Sequence, residues 1–374
     1  MAAFANGTTL RYLDFSDTYM SRNAGHPSDM IGALVATAEA MDRSGAALTA
    51  ALVVAYELYC GLCDAVALRD HGVDQATCAA VGTAAGVGRL LGLNEARLGE
   101  AISLALAPNV HVYNVRKGTL SEWKGCAGPN GARNGVFAAM LAAEGVAGPT
   151  AVVEGEGGLF EVVGRFDWKV GERATPRIVD THLKLHPVCY HGQSAIDSIL
   201  AMRAQLTPED IDSIEVETYD AAFHMVAGDA QRWAPTTRET ADHSLPFTVA
   251  VALMDGRLSG AAYALERLVD PATLALARKV HVAHSSEFTA QFPGKLAIRF
   301  TLRTRDGNVL SRAQDWPKGH AMNRASDGEV EAKFIMAYEE WRGAAAARDA
   351  LQVLRAADRL PRAAMLVDVL CEGQ

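Results

Sequence analysis

Paired metal-ligand motifs are scarce in this chain of 374 residues. Its six cysteines, Cys60, Cys63, Cys78, Cys126, Cys189 and Cys371, are scattered, and Cys60-Gly61-Leu62-Cys63 is a CxxC with no second pair. Ligands at the usual spacings of a zinc or iron–sulfur site are therefore lacking, and no metal is expected. The CxxC follows Ala51 to Tyr59, which reads as buried helix, so buried thiols are the better reading of the pair. Reduced thiols point to the cytosol. Excess basic charge is lacking too. With a net charge of −9 the chain has no nucleic-acid footprint. No apolar stretch is expected to span a membrane, and Met1 to Asn6 shows no basic region before an apolar one, so no signal peptide is expected. The glycine-rich stretches Glu154 to Gly158 and Gly82 to Gly88 do not fit a phosphate loop that follows a strand and opens a helix. A nucleotide cofactor is not expected, and the acidic stretch reads as a solvated connector.

What is present suffices for two domains with a sizeable core. Residues 29–150 read as consecutive helices: Ile31 to Met41, Gly45 to Ala67, Gln75 to Leu91, Glu95 to Leu106 and Asn130 to Glu144. Small residues on several faces allow close helix packing. Gly92-Leu93-Asn94, Pro108-Asn109 and Gly145 to Pro149 punctuate the series. The texture changes after Pro176. Ser213 to Tyr219, Val280 to His284 and Lys295 to Thr304 alternate as half-buried strands, and Arg305 to Asn308 is a hairpin signal before a return strand, Val309 to Ala313. Helical runs Gln193 to Arg203, Leu245 to Met254 and Pro271 to Ala277 lie among them, and helices resume from Gly328. The expected fold is mainly α with an α+β part. A helical domain is formed from both chain ends, residues 1–178 and 326–374, around a smaller inserted α+β domain, residues 179–325.

Several clusters carry candidate chemistry. Asp14, Asp17 and Thr18 would share one face of a helical turn. His26-Pro27 reads as a sharp turn that brings an imidazole back over the helix end. Together they make an acid/base pocket, or an ordinary helix cap built from the same residue types. Lys124, between Trp123 and Gly125 and ahead of a helix start, is a natural carboxylate site or a solvated surface lysine. Arg116, Lys117 and Arg133 extend that cationic pocket or are plain surface charge. Lys184, His186 and His191 crowd into eight positions around Cys189. Asp74, ahead of a helical run, suits a cap. His243, between Asp242 and Ser244, has the form of a buried polar anchor, read as a hydrogen bond at the domain junction.

Five ordered segments resemble one family. They are Asn6-Gly7-Thr8-Thr9 through Asp14, Asp17-Thr18 and His26-Pro27-Ser28; Gly118 to Gly125; Lys184 to Cys189; Thr240 to Phe247; and Asp315 to Gly319. Together they resemble the MmgE/PrpD family, which includes 2-methylcitrate dehydratases, cis-aconitate decarboxylases and iminodisuccinate epimerases. The resemblance implies the same two-domain arrangement, a homodimer, and further helices ahead of the Asn6 segment, which here begins almost at the first residue. It implies Lys124 and Lys184 as substrate-pocket cations. Cys189, Phe247 and Asp74 stand where the decarboxylase branch has histidine, tyrosine and histidine, which weakens that branch as a reading. The expected activity is a cofactor-independent carbon–oxygen lyase, 2-methylcitrate dehydratase-like, acting on a small di- or tricarboxylic acid. Asp14 or His26 would be acid or base, with Thr18 orienting substrate. Lys124, Lys184 and Arg116 would hold carboxylates, with Asp74 and Cys189 lining the pocket, expected between the domains. An epimerase, a decarboxylase or an inactive carboxylate-binding relative is the alternative.

Overall fold

The computed structural model of the chain describes residues 1–117 and 120–371. Gly118 and Thr119, which open the second family segment, lie outside the described residues. The chain forms two compact units. The first comprises Met1–Tyr12, Ser16–His182 and Tyr338–Gln374; the second comprises Leu13–Phe15 and Leu183–Ala337.

The first unit is built on helices α1 (Ala2–Arg11), α2 (Ile31–Ala40), α3 (Gly45–Ala65), α4 (Ala76–Leu91), α5 (Glu95–Leu106) and α6 (Trp123–Ala143). Local chemistry sets several ends. Ser44 accepts the Ala47 N–H at the start of α3 and Asn94 accepts the Arg97 N–H at the start of α5, each satisfying a donor that the helix leaves unpaired. Gly92, at a φ of 73°, closes α4 in the left-handed region. Small residues then set the packing. A Cβ on Gly131 of α6 would collide with the Ala76 carbonyl oxygen of α4, so the two backbones meet at a distance only glycine permits. The Gly82 to Gly88 stretch lies inside α4, which confirms that it is no phosphate loop.

One helix lay outside the expected series, and two local expectations are corrected. α1 forms through Asn6-Gly7-Thr8, a stretch of weak helix formers, because it packs on α2 and α6. α6 opens at Trp123 rather than at Asn130, running through Pro129. And α3 is, by length and composition, apolar enough to cross a membrane. Its polar side chains nonetheless find partners inside the unit. The Tyr56 hydroxyl donates to Asp17 at 2.9 Å and Glu57 pairs with Arg177, as in the core helix of a folded unit.

The second unit carries a four-stranded sheet. Its strands are β3 (Ile211–Thr218), β4 (Val280–His284), β5 (Ile298–Thr304) and β6 (Val309–Gln314), in the order β4-β3-β5-β6. β3 and β4 are parallel, with Val216 beside Val282; the other pairs are antiparallel, with Val216 beside Phe300. Alternation buries Ile214, Val216, Phe300 and Leu302 on one face. There they join Ile196 and Ile199 of α7 (Gln193–Met202) and Val249 and Leu253 of α8 (Leu245–Asp255) in one core. The other face is solvated and charged, with Arg299 on Glu217 at 2.5 Å. Leu13–Phe15 belongs to this unit for a visible reason. Lys333 donates to the Phe15 carbonyl at 2.8 Å and sits 4.2 Å over its ring, while Lys184 grips Asp14.

Candidate active site

In the first unit the segment from Ser16 to Met30 is not the helical turn expected from spacing. Asp17–Met20 is an extended strand, β1, paired antiparallel with Ala24–Gly25, β2, in the register Tyr19 to Gly25. Side chains alternate along a strand, so Asp17 and Thr18 face opposite ways. Asp14, in the other unit, has a left-handed φ of 48°. Aspartate is among the residues that tolerate that region. Asp17 is used structurally: it accepts the Ser28 N–H at 3.0 Å and the Tyr56 hydroxyl at 2.9 Å.

His26 sits at the turn that Pro27 imposes. Its Nδ1 lies 2.7 Å from the Asp17 carbonyl, which must accept, so Nδ1 carries a hydrogen. Thr18 Oγ1 lies 3.4 Å from the same nitrogen. The backbone N–H of His26 donates to the Tyr59 hydroxyl at 2.8 Å, and Tyr59 in turn bonds Gln75. Gln75 continues to Asp29 at 3.1 Å, and Asp29 is paired with Arg11 at 3.1 Å, both fully enclosed. Burial pushes the Asp29 carboxyl up, opposed by Arg11 and by the Gln75 hydrogen bond.

A second cluster surrounds the start of α6. Lys124 is buried in the first turn, so it is no solvated lysine. Arg116 donates through Nε and Nη2 to both oxygens of Asp74, at 2.8 and 3.2 Å, and through Nη1 to the Lys124 carbonyl at 2.9 Å. Asp74 also accepts the Ala76 N–H at 3.0 Å, capping α4. Its carboxylate is thus spent on a cap and a bidentate ion pair. Arg116 is neither solvated nor loose; although burial disfavours its charge, Asp74 holds its pKa above the ordinary value.

The second unit gathers three of the five family segments. The Lys184 ammonium reaches Asp14 twice, its carboxylate at 3.0 Å and its carbonyl at 2.9 Å, with both residues buried. The following loop is fixed by Gln193, whose Oε1 accepts from Leu185 and His186 N–H and whose Nε2 donates to the carbonyls of His186 and Val188. The Cys189 N–H then donates to the Asp242 carbonyl at 2.8 Å. His243, buried beside it, bonds the Asp242 carboxylate through Nδ1. The Asp315 to Gly319 segment closes on the same loop. Leu183 N–H donates to the Gly319 carbonyl at 2.8 Å, and Asp197 accepts from both His186 and the Lys318 N–H. Among the described residues, ligand atoms of Asp14, Asp242 and His243 lie within 4.8 Å of one another. They make a poor cation site, because the Lys184 ammonium already neutralises Asp14 and Asp242 already holds the imidazole.

Comparison with protein families matches the MmgE/PrpD N-terminal domain to residues 1–170 and the MmgE/PrpD C-terminal domain to residues 186–358. The chain belongs to the MmgE/PrpD family. Curated relatives of this MmgE/PrpD chain include a 2-methylcitrate dehydratase of Salmonella typhimurium, 28% identical over 87% of this chain and 72% of that enzyme. A mitochondrial 2-methylcitrate dehydratase of Yarrowia lipolytica is 28% identical over 86% of this chain and 66% of that enzyme. An alkylcitrate dehydratase of a fungal species is 26% identical over 89% and 71%.

In this MmgE/PrpD chain the residues singled out from sequence fall into two sets. Thr18, His26, Asp74, Arg116 and Lys124 stand in the first unit; Asp14, Lys184 and Cys189 stand in the second. Arg11, Asp29, Tyr56, Tyr59 and Gln75 were missed. Each stands alone in an apolar helical run or at its edge, and only the fold brings them to one network. Phe247 is wholly buried in α8, in the core of the second unit. Cys60 and Cys63 are buried on α3, and burial pushes the Cys60 thiol up, so it stays protonated.

Proposed function

We propose that this protein is a cofactor-independent lyase that dehydrates a small di- or tricarboxylic acid, with 2-methylcitrate as the first substrate to test. The observation that carries the reading is the burial of Lys124 and Lys184, two lysines withdrawn from solvent in an acidic chain, with Arg116 largely enclosed beside Lys124. Relatives named for dehydrating 2-methylcitrate support the choice of acid. Removing a proton next to a carboxylate builds a dianion, which is poor unless fixed cations hold it. Lys124 at a helix N-terminus, with Arg116 tied to its carbonyl, would supply one such clamp and Lys184 another. Asp14 and His26 are the acid–base candidates of the first family segment, and their settings differ. Asp14 is held by the Lys184 ammonium at 3.0 Å. His26, fixed through Nδ1, would as an imidazolium give the proton that the leaving hydroxyl takes, with Thr18 beside it to orient substrate. The same reading takes the protein to be a cytoplasmic homodimer, which sedimentation measures.

Incubation with 2-methylcitrate and with cis-aconitate in deuterated water, followed by proton NMR, tests the reaction. Dehydration of 2-methylcitrate is the expected result. Deuterium uptake with retained hydroxyl would point to an epimerase, loss of a carboxylate to a decarboxylase, and no change in any acid to a binding protein.

A further inference from the structure

An elimination needs a proton acceptor as well as a donor, and the second unit holds a candidate acceptor besides Asp14. Cys189 and His243 come from segments more than fifty residues apart, and both are fixed by backbone. Cys189 ends the loop that Gln193 clamps and donates its N–H to Asp242. His243 N–H is bonded to the Thr240 carbonyl at 3.2 Å, one residue before Ser244 caps α8. Asp242 bonds His243 Nδ1, and His243 and Cys189 hydrogen-bond each other. Sulfur, imidazole and carboxylate therefore stand in the order nucleophile, base and orienter.

We propose that Cys189, beside His243 and Asp242, is the group that removes the substrate proton. The proposal rests on the lyase reading above. The C–H bond next to the carboxylate breaks and its proton forms S–H on Cys189. The electron pair left on carbon forms the C=C bond. The C–O bond to the hydroxyl breaks, and the oxygen leaves as water, taking its proton from solvent. Cys189 returns to its starting form by giving its proton to water. No oxidant or reductant enters.

The surroundings fit. Burial alone pushes the Cys189 thiol up, but His243, by charge and by hydrogen bond, and Lys184 bring it below its ordinary value against the opposing charge of Asp14. Tyr219 and Tyr263 also face it, and burial pushes both phenols well up, so they stay neutral. Asp242 faces it through His243. Cys189 is the catalytic residue; His243 and Asp242 are positioning residues.

Two measurements test this. The ultraviolet absorbance of the thiolate, taken as wild type minus Cys189→Ser across pH, should titrate below the ordinary thiol value of about 8.5, and His243→Gln should raise that midpoint by one unit or more. A thiol that titrates at or above the ordinary value would overturn the proposal, whatever the substrate proves to be. With 2-methylcitrate in deuterated water, Cys189→Ser should lose both solvent exchange at carbon and dehydration by at least a hundredfold at unchanged melting temperature. If Cys189→Ser exchanges at the wild-type rate while wild type dehydrates, the base is another residue and the lyase reading stands. If wild type acts on no acid but the thiolate is present, the lyase reading fails on its own.

Discussion

Lys124 shows what a residue type alone leaves open. Its neighbours in sequence allowed a solvated side chain or a carboxylate clamp, and burial in the first turn of α6 decides against the first. Lys124→Ala should therefore lower kcat/KM for the true acid by about two orders of magnitude or more, the loss typical of removing a contact made to developing charge. Steady-state kinetics beside a thermal melt checks it, and near-native turnover would remove Lys124 from the site. Asp74 resolves the other way, since a cap and an ion pair use both oxygens. His320, next to the Asp315 to Gly319 segment, carries a pH prediction. Burial lowers its pKa to about 4, and its Nδ1 accepts the Met322 N–H, which requires the neutral ring. A folded pKa below the unfolded value means that the unfolded chain binds the proton first. Stability should then be full above about pH 6.5 and fall as pH drops toward 4, with a slope of up to about 1.4 kcal/mol per unit. His320→Gln should flatten that limb, as read by urea midpoints at pH 7 and pH 5. An unchanged slope would place the acid sensitivity elsewhere.

At the scale of elements, legibility followed pattern length. Helices at 45–65, 76–91 and 95–106 and the strands of the four-stranded sheet lie within a few residues of their expected positions, because each repeats its period several times or carries its own cap. The misses were short or contrary to local preference. β1 has four residues, too few for alternation to declare itself, and α1 contains Asn6, Gly7 and two threonines. The helix expected to open at Asn130 instead starts at Trp123 and continues through Gly128-Pro129. Proline removes a donor and crowds the carbonyl four residues back, here that of Gly125, which has no side chain to add to the crowding. Packing overrode propensity in each case, and α6 is where this is most exposed to test. Gly131→Ala should push α6 off α4 at the Ala76 carbonyl and cost about 1–3 kcal/mol, as overpacking does. A urea denaturation midpoint equal to wild type would show that the crossing yields without strain.

At the scale of the whole molecule, the family and the division into a helical and an α+β part were readable because the five segments are spread along the chain. Which side chains would meet was not. The pairing of His243 with Cys189 and the withdrawal of Asp14 into the second unit depend on contacts between residues far apart in sequence. The same contacts bear on the expectation of chemistry without a cofactor. Two places where potential metal ligands gather among the described residues are already committed by the fold. Cys63 and Cys78 lie 3.9 Å apart among apolar side chains, and burial pushes the Cys78 thiol up, away from the thiolate a metal needs. Asp14, Asp242 and His243 are close enough to share an ion, but a lysine ammonium and an internal hydrogen bond hold them. Displacing Lys184 to admit a cation would bury a second charge beside the first and leave the ammonium unpaired, a change that costs several kcal/mol. Turnover should therefore survive prolonged dialysis against chelator and need no added nucleotide or metal. The measurement is the dehydration rate before and after dialysis, with metal content determined on the same samples. Activity lost on chelation and restored by one specific metal would mean that Lys184 swings away from Asp14, and the assignment of Lys184 as a carboxylate clamp would fall with it.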